Sequence, residues 1–117
     1  MTEPLRVMVT AAGSGIGRAI ARGFADAGAT VHICDSDSAL LDLATSDYPE
    51  IAAECLDVTD EAAIDRWFDD VLDELDGLDV LVNNAGIAGP SAAVEEIDDE
   101  AWQRCLAVCL DSQVLAC

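Results

Sequence analysis

The chain has 117 residues, with 24 acids against five arginines and no lysine, a formal net charge of −19, and 52% apolar residues. That length suits one domain with one core and is too short for two. The charge excludes nucleic acid and anionic membrane as partners, because both need basic patches to replace counterions. No apolar run reaches the roughly 18 residues of a membrane span.

The opening MTEPLRV has no basic region leading into an apolar stretch, so no secretory signal is expected and the cytoplasm is the expected compartment. The acids fall mostly on the polar sides of helices, as in DRWFDDVLDELD, which reads as a solvated surface or as an adaptation to high salt. Five cysteines, Cys34, Cys55, Cys105, Cys109 and Cys117, include no C-x-x-C pair. Buried or half-buried thiols in a reducing compartment are expected, and no metal site, although Cys105 and Cys109 stand one helical turn apart. His32, in the middle of TVHIC, reads as a packed imidazole rather than a catalytic one.

Residues 5–10 read as a first strand, apolar on both faces, as in a central parallel strand covered by helices on each side. It runs into VTAAGSGIG, residues 9–17, where Gly13, Gly15 and Gly17 make a G-x-G-x-G turn ahead of a helix. Glycine permits positive φ, lets a ligand approach bare backbone and brings the helix close to the strand. The helix N-terminus favours an anion, and a diphosphate fits. G-x-G spacings also occur in plain strand-to-helix turns without a ligand; the context here, with Asp35 closing the next strand, favours a dinucleotide.

The first helix spans about 16–27, with Ile16, Ala19, Ile20, Gly23, Phe24 and Ala27 on one face and Gly28 as its C′ glycine. A second strand, 30–34, ends at Asp35, placed to accept hydrogen bonds from adenosine ribose hydroxyls. A helix over 38–46 turns Leu40, Leu41, Leu43 and Ala44 inward, and a third strand over 51–56 leads into Asp57-Val58. A helix over 60–76 carries Ile64, Trp67, Phe68, Val71, Leu72 and Leu75 inward and is closed by Gly77. A fourth strand, 78–82, runs into Asn83-Asn84-Ala85-Gly86, at the carboxyl edge where open α/β sheets bind ligands. After a loop with Gly89-Pro90 at its turn, Asp98 reads as the N-cap of a last helix, from 99 to the end of the chain, with Asp99 and Glu100 in its first turn. This βαβαβαβα pattern predicts one α/β domain over 1–117, a Rossmann-like doubly wound parallel sheet of order 3-2-1-4.

Three motifs in order carry a resemblance. Thr10-Ala11-Ala12-Gly13-Ser14-Gly15-Ile16-Gly17 is similar to the T-G-x-x-x-G-x-G cofactor loop of the short-chain dehydrogenases/reductases, Asp57-Val58 to their adenine-holding pair, and Asn83-Asn84-Ala85-Gly86 to their N-N-A-G segment. The whole chain resembles the N-terminal, cofactor-binding half of that family, an incomplete Rossmann domain truncated before the later strands. The resemblance implies that Gly13, Ser14, Gly15 and Ile16, with Gly17, line the diphosphate and ribose. It implies that Asp35 takes the adenosine ribose, Asp57 and Val58 the adenine, and Asn84, Ala85 and Gly86 the ribose regions. Asp35, with no Arg or Lys in the loop beside the glycines, points to NAD rather than NADP.

The sequence departs from the family pattern in three places. Ala11 replaces the first loop glycine, which a small residue tolerates if its φ is negative. Cys109 stands where the family has the Asn of V-N-L. The family's catalytic Ser and Y-x-x-x-K lie beyond this chain, so no catalytic residue is assigned. The expected function is the NAD-binding half of an oxidoreductase moving hydride between NAD(H) and an alcohol or ketone, with a small-molecule substrate only if the missing half is supplied. A non-catalytic nucleotide-binding module and a truncated product without function are the alternatives. Self-association, or a partner chain, is expected at the edge of strand four.

Overall fold

The computed structural model describes residues 4–85 and 94–111. Four strands, β1 (Arg6–Val9), β2 (Thr30–Asp35), β3 (Ala52–Cys55) and β4 (Val80–Val82), form one parallel sheet in the order β3-β2-β1-β4. The expected 3-2-1-4 order is therefore observed. The helices are α1 (Gly15–Asp26), α2 (Ser38–Ser46), α3 (Glu61–Leu75) and α4 (Asp99–Leu106); a 3₁₀ turn at Val94–Glu96 precedes α4 and a π turn at Ala107–Asp111 follows it. None of the described helices is long and apolar enough to cross a membrane.

Side chains alternate across the pleat, so β1 and β2 feed two cores. Val7, Val9, Val31 and Ile33 pack with Ala21 of α1 and with Leu41 and Ala44 of α2 on one face. Met8 and Cys34 pack with Ile64, Trp67 and Val71 of α3 on the other. Covering both faces with helices is what allows Val7, Met8 and Val9 of β1 to be wholly buried, and it makes the sheet doubly wound.

Several inward faces differ from expectation. In α1 the buried positions are Gly17 and Ala21, with Ile20 and Phe24 half-buried, while Ala19, Gly23 and Ala27 are exposed and Ile16 is 72% exposed. Close packing of Gly17 against the backbone of Ala11 and Ala12 sets this rotation of the helix. In α2, Leu41 and Ala44 face the core and Leu43 is 61% exposed, because residues 41 and 43 are about 200° apart on a helix. At the end of α3, Asp76 adopts the left-handed conformation ahead of Gly77, with φ of 56° and 132° respectively. Cys55 is exposed rather than buried, since all of β3 is exposed at the sheet edge. Cys34 is buried, and Cys105 and Cys109 are half-buried with their sulfurs 3.9 Å apart on one side of the helix. His32 is buried, with Nε2 3.7 Å from Glu74; burial lowers its pKa and the Glu74 carboxylate partly offsets this. Gly86, the Gly89-Pro90 turn, Cys117 and the last helix beyond residue 111 lie outside the described residues.

Candidate functional site

The chain leaves β1 toward β2 on one side and returns to β4 on the other, so the segments after these strands diverge at the carboxyl edge. A cleft of about 410 Å³ opens there. Ala11, Ser14 and Ile16 line it from the turn after β1, Asp35 and Ser36 from the end of β2, and Leu56, Asp57 and Val58 from the end of β3. Asn84 and Ala85 follow β4, and Leu40, Arg104 and Val108 complete the lining from the helical side.

The turn after β1 is fastened residue by residue. Thr10 is buried, and its Oγ1 accepts hydrogen bonds from the backbone N–H groups of Asn84 (3.0 Å) and Ala85 (3.1 Å). The Asn84 side-chain amide donates to the Ala11 carbonyl at 3.0 Å. Ala12 N–H donates to the Cys34 carbonyl at 3.0 Å, and Gly13 N–H to Asp35 Oδ2 at 3.0 Å. The sites read separately from the sequence, the glycine turn, Asp35 and Asn84-Ala85, are thus one hydrogen-bonded unit. Buried backbone groups need partners, and those here are supplied across the ends of β1, β2 and β4.

Each glycine of the turn has its own reason. A Cβ on Gly13 would lie 2.8 Å from Asp35 Oδ2 and 2.9 Å from the Leu40 Cβ. A Cβ on Gly17 would strike the Asn84 amide and lie 2.7 Å from the Ala11 carbonyl oxygen. Gly15 has φ of +60° and open space around it, so its backbone is approachable from the cleft side. Ala11 has φ of 53°, against the negative φ expected for it. Its carbonyl must turn toward the Asn84 amide, and the left-handed conformation is imposed on an alanine at a cost of about 1 kcal/mol.

Ser14 is the N-cap of α1, with extended backbone, yet its hydroxyl makes no capping bond, and no acid stands in the first turn. The unpaired N–H groups there, with the positive end of the helix dipole, can hold an anion. Asp35 spends Oδ2 on Gly13 and accepts from Asp37 N–H through Oδ1 at 3.1 Å. Asp57 Oδ1 accepts from the Thr59 hydroxyl (2.7 Å) and N–H (2.9 Å). These bonds, the hydroxyl's first, hold its pKa below the ordinary carboxylate value, with a smaller contribution from Arg104.

The sequence reading placed Thr10 in the loop motif without a role of its own, and missed Ser36, Leu40, Leu56, Arg104 and Val108. Thr10 reads locally as a strand terminus, and only the return of β4 beside it shows its hydroxyl to be the joint between two loops. Arg104 and Val108 come from an element some 50 residues beyond Asp57, and their four-residue spacing is the only local signal that they share a face.

A family model described as short chain dehydrogenase matches residues 6–117. The chain belongs to this family. A cis-4-hydroxycyclohexanecarboxylate dehydrogenase of Sinomonas cyclohexanicum is 40% identical over 112 residues, covering 92% of this chain and 45% of that protein. A meso-2,3-butanediol dehydrogenase of Serratia marcescens is 35% identical over 111 residues, covering 92% and 43%. Among solved structures, a 3-ketoacyl-(acyl-carrier-protein) reductase of Brucella melitensis complexed with NADH superposes with a TM-score of 0.90 at 31% identity, over 97% of this chain and 47% of that one. A short-chain dehydrogenase of Streptomyces avermitilis gives the same score at 36% identity, over 99% and 42%. The chain spans less than half the length of each of these relatives. Short-chain dehydrogenases are oxidoreductases that bind NAD(H) or NADP(H), and this chain holds a cleft of that fold.

Proposed function

We propose that the chain is the NAD-binding part of a short-chain dehydrogenase acting on an alcohol or ketone. The observation that carries this is the open N-terminus of α1 beside an approachable Gly15, in a cleft that Asp35 and Asp57 also line. The turn Gly13, Ser14, Gly15, Ile16 and Gly17 would take the diphosphate, through the N–H groups that follow Gly13, whose own N–H is held by Asp35, and Asp35 would take the adenosine ribose. Asp57 and Val58 would take the adenine, and Asn84, Ala85 and Gly86 the ribose regions. The nicotinamide supplies the hydride when bound; the chain's own residues bind and orient. The complex of the Brucella relative with NADH supports a nicotinamide cofactor. The choice of NAD over NADP rests on Asp35, whose charge repels a 2′-phosphate.

Proton transfer is not provided by the residues of this chain. It contains no lysine and a single tyrosine, Tyr48. The Tyr48 hydroxyl donates to Asp26 at 3.2 Å, and this bond raises its pKa, away from what an acid–base tyrosine needs. Among the described residues β4 pairs with β1 alone. Its outer edge and the exposed Trp102 and Leu110 support pairing with further strands or with another chain.

Titration with NAD and NADP tests the reading, with Asp35→Asn as the variant, because asparagine keeps an acceptor for Gly13. NAD is expected to bind in preference to NADP, and Asp35→Asn to weaken NAD by about 1–3 kcal/mol, the scale of charge-assisted hydrogen bonds. Equal affinity of the unmutated chain for the two cofactors would overturn the NAD assignment. No turnover of alcohols or ketones is expected from the 117 residues alone.

A further inference from the structure

We propose that Arg104 closes the adenine end of the cleft, its guanidinium laid against the face of the base. The inference rests on the dinucleotide reading above and adds a binding residue to it.

Among the described residues three charged side chains line the cleft, Asp35, Asp57 and Arg104. Arg104 is therefore the single cation of the lining among the described residues, in a chain with five arginines, no lysine and a net charge of −19. Other arginines are committed elsewhere. Arg6 pairs with Asp79 at 3.0 Å and donates to the Asp76 carbonyl, while Arg22 donates to carbonyls of α2 and stacks over Tyr48 at 4.9 Å.

Position selects the end of the cleft. Arg104 lies in the last turn of α4, one turn before Val108, which is buried and lines the same cleft. Residues four apart share a helix face, so the arginine enters on the side where Leu56, Val58 and Val108 make the lining apolar. That apolar side can shelter the flat faces of a base, and the phosphates belong at the opposite side, by α1. The field of Arg104 reaches Asp57, where it helps to keep the carboxyl ionised. A guanidinium is planar, weakly hydrated and suited to stacking on an aromatic face, whereas an ammonium is compact and strongly hydrated. An arginine here also offsets part of the repulsion between a strongly acidic protein and an anionic ligand.

The test measures affinities of the 117-residue chain and of Arg104→Ala and Arg104→Lys for NAD, AMP and nicotinamide mononucleotide by calorimetry, with circular dichroism to check folding. Arg104→Ala is expected to weaken NAD and AMP alike, about two- to fivefold, the range of exposed cation–π contacts, and to leave the mononucleotide unchanged. Arg104→Lys is expected to recover less than half of that loss. Unchanged AMP affinity in Arg104→Ala, an equal loss for AMP and the mononucleotide, or full recovery in Arg104→Lys would each overturn the inference. The dinucleotide reading survives any of these results. If the unmutated chain binds neither NAD nor AMP, that reading falls and this inference with it.

Discussion

Four α-helices begin among the described residues, and they begin in two ways. Helices α2, α3 and α4 each start at an aspartate whose carboxylate accepts from the first turn: Asp37 from Ala39 and Leu40, Asp60 from Ala63 at 3.2 Å, and Asp98 from Ala101 at 2.7 Å. Helix α1 starts at Ser14, whose side chain accepts nothing from the turn, and it starts inside the cleft. In a chain with 24 acids, one at the start of α1 would have been as easily placed as at the other three. A carboxylate there would fill the place of an anionic ligand, so the helix end that is left open marks where the chain can bind one.

The largest expected effect tests how tightly that end is held. Gly17→Ala places a Cβ against Ala11, Ala12 and Asn84, where the neighbours are largely backbone and cannot yield. It should destabilise the chain by about 2–3 kcal/mol. Gly23→Ala, six residues along the same helix with nothing within 4 Å of its Cβ, should instead stabilise it by about 0.5–1 kcal/mol. Urea midpoints of the two variants read both signs, and equal effects would show that α1 is not locked at Gly17.

Ser14→Asp converts α1 into a helix of the other kind. It should raise stability by about 1 kcal/mol through capping, and weaken NAD at least about tenfold through repulsion of the diphosphate. Melting and titration on one sample check both, and a stabilised variant with undiminished NAD affinity would break the contrast. Removing a cap gives a smaller effect: Asp60→Ala should cost about 1 kcal/mol, whereas Ser14→Ala should change stability by less than about 0.5 kcal/mol. The smallest effect is expected at Ala11, where glycine relieves the positive φ but adds freedom to the unfolded chain. Ala11→Gly should gain about 0.5 kcal/mol, and a loss would show that the alanine methyl group contributes packing that outweighs its strain.

Much of this architecture was legible because its signals are local. The strand and helix alternation, the Asp98 cap, the span of α2 and the apolar stripe of Ile64, Trp67 and Val71 are all written within a few residues of where they act. The sheet order followed from the glycine turn and the regular alternation of elements. The inward faces of α1 and α2 were less legible, because short apolar helices offer several faces and only packing chooses one. Leu43 and Ile16 are as apolar as Leu41 and Ile20 and lie outside the core all the same.

By itself the sequence determined that the chain is an α/β domain of parallel strands, that Asp98 starts its last helix, and that a glycine turn, Asp35 and Asn84-Ala85 stand at strand ends. The tertiary structure alone decided how these meet. Thr10 becomes a joint because β4 returns beside β1, bringing two backbone N–H groups from 74 and 75 residues away within 3.1 Å of one hydroxyl. Ala11 takes a positive φ because the Asn84 amide needs its carbonyl, and Arg104 and Val108 come to line one cleft with Leu56, Asp57 and Val58. Local propensity is a property of neighbours in sequence, whereas a hydrogen bond or a charge acts over a few ångströms of space, and only the closed fold brings these particular groups within that range.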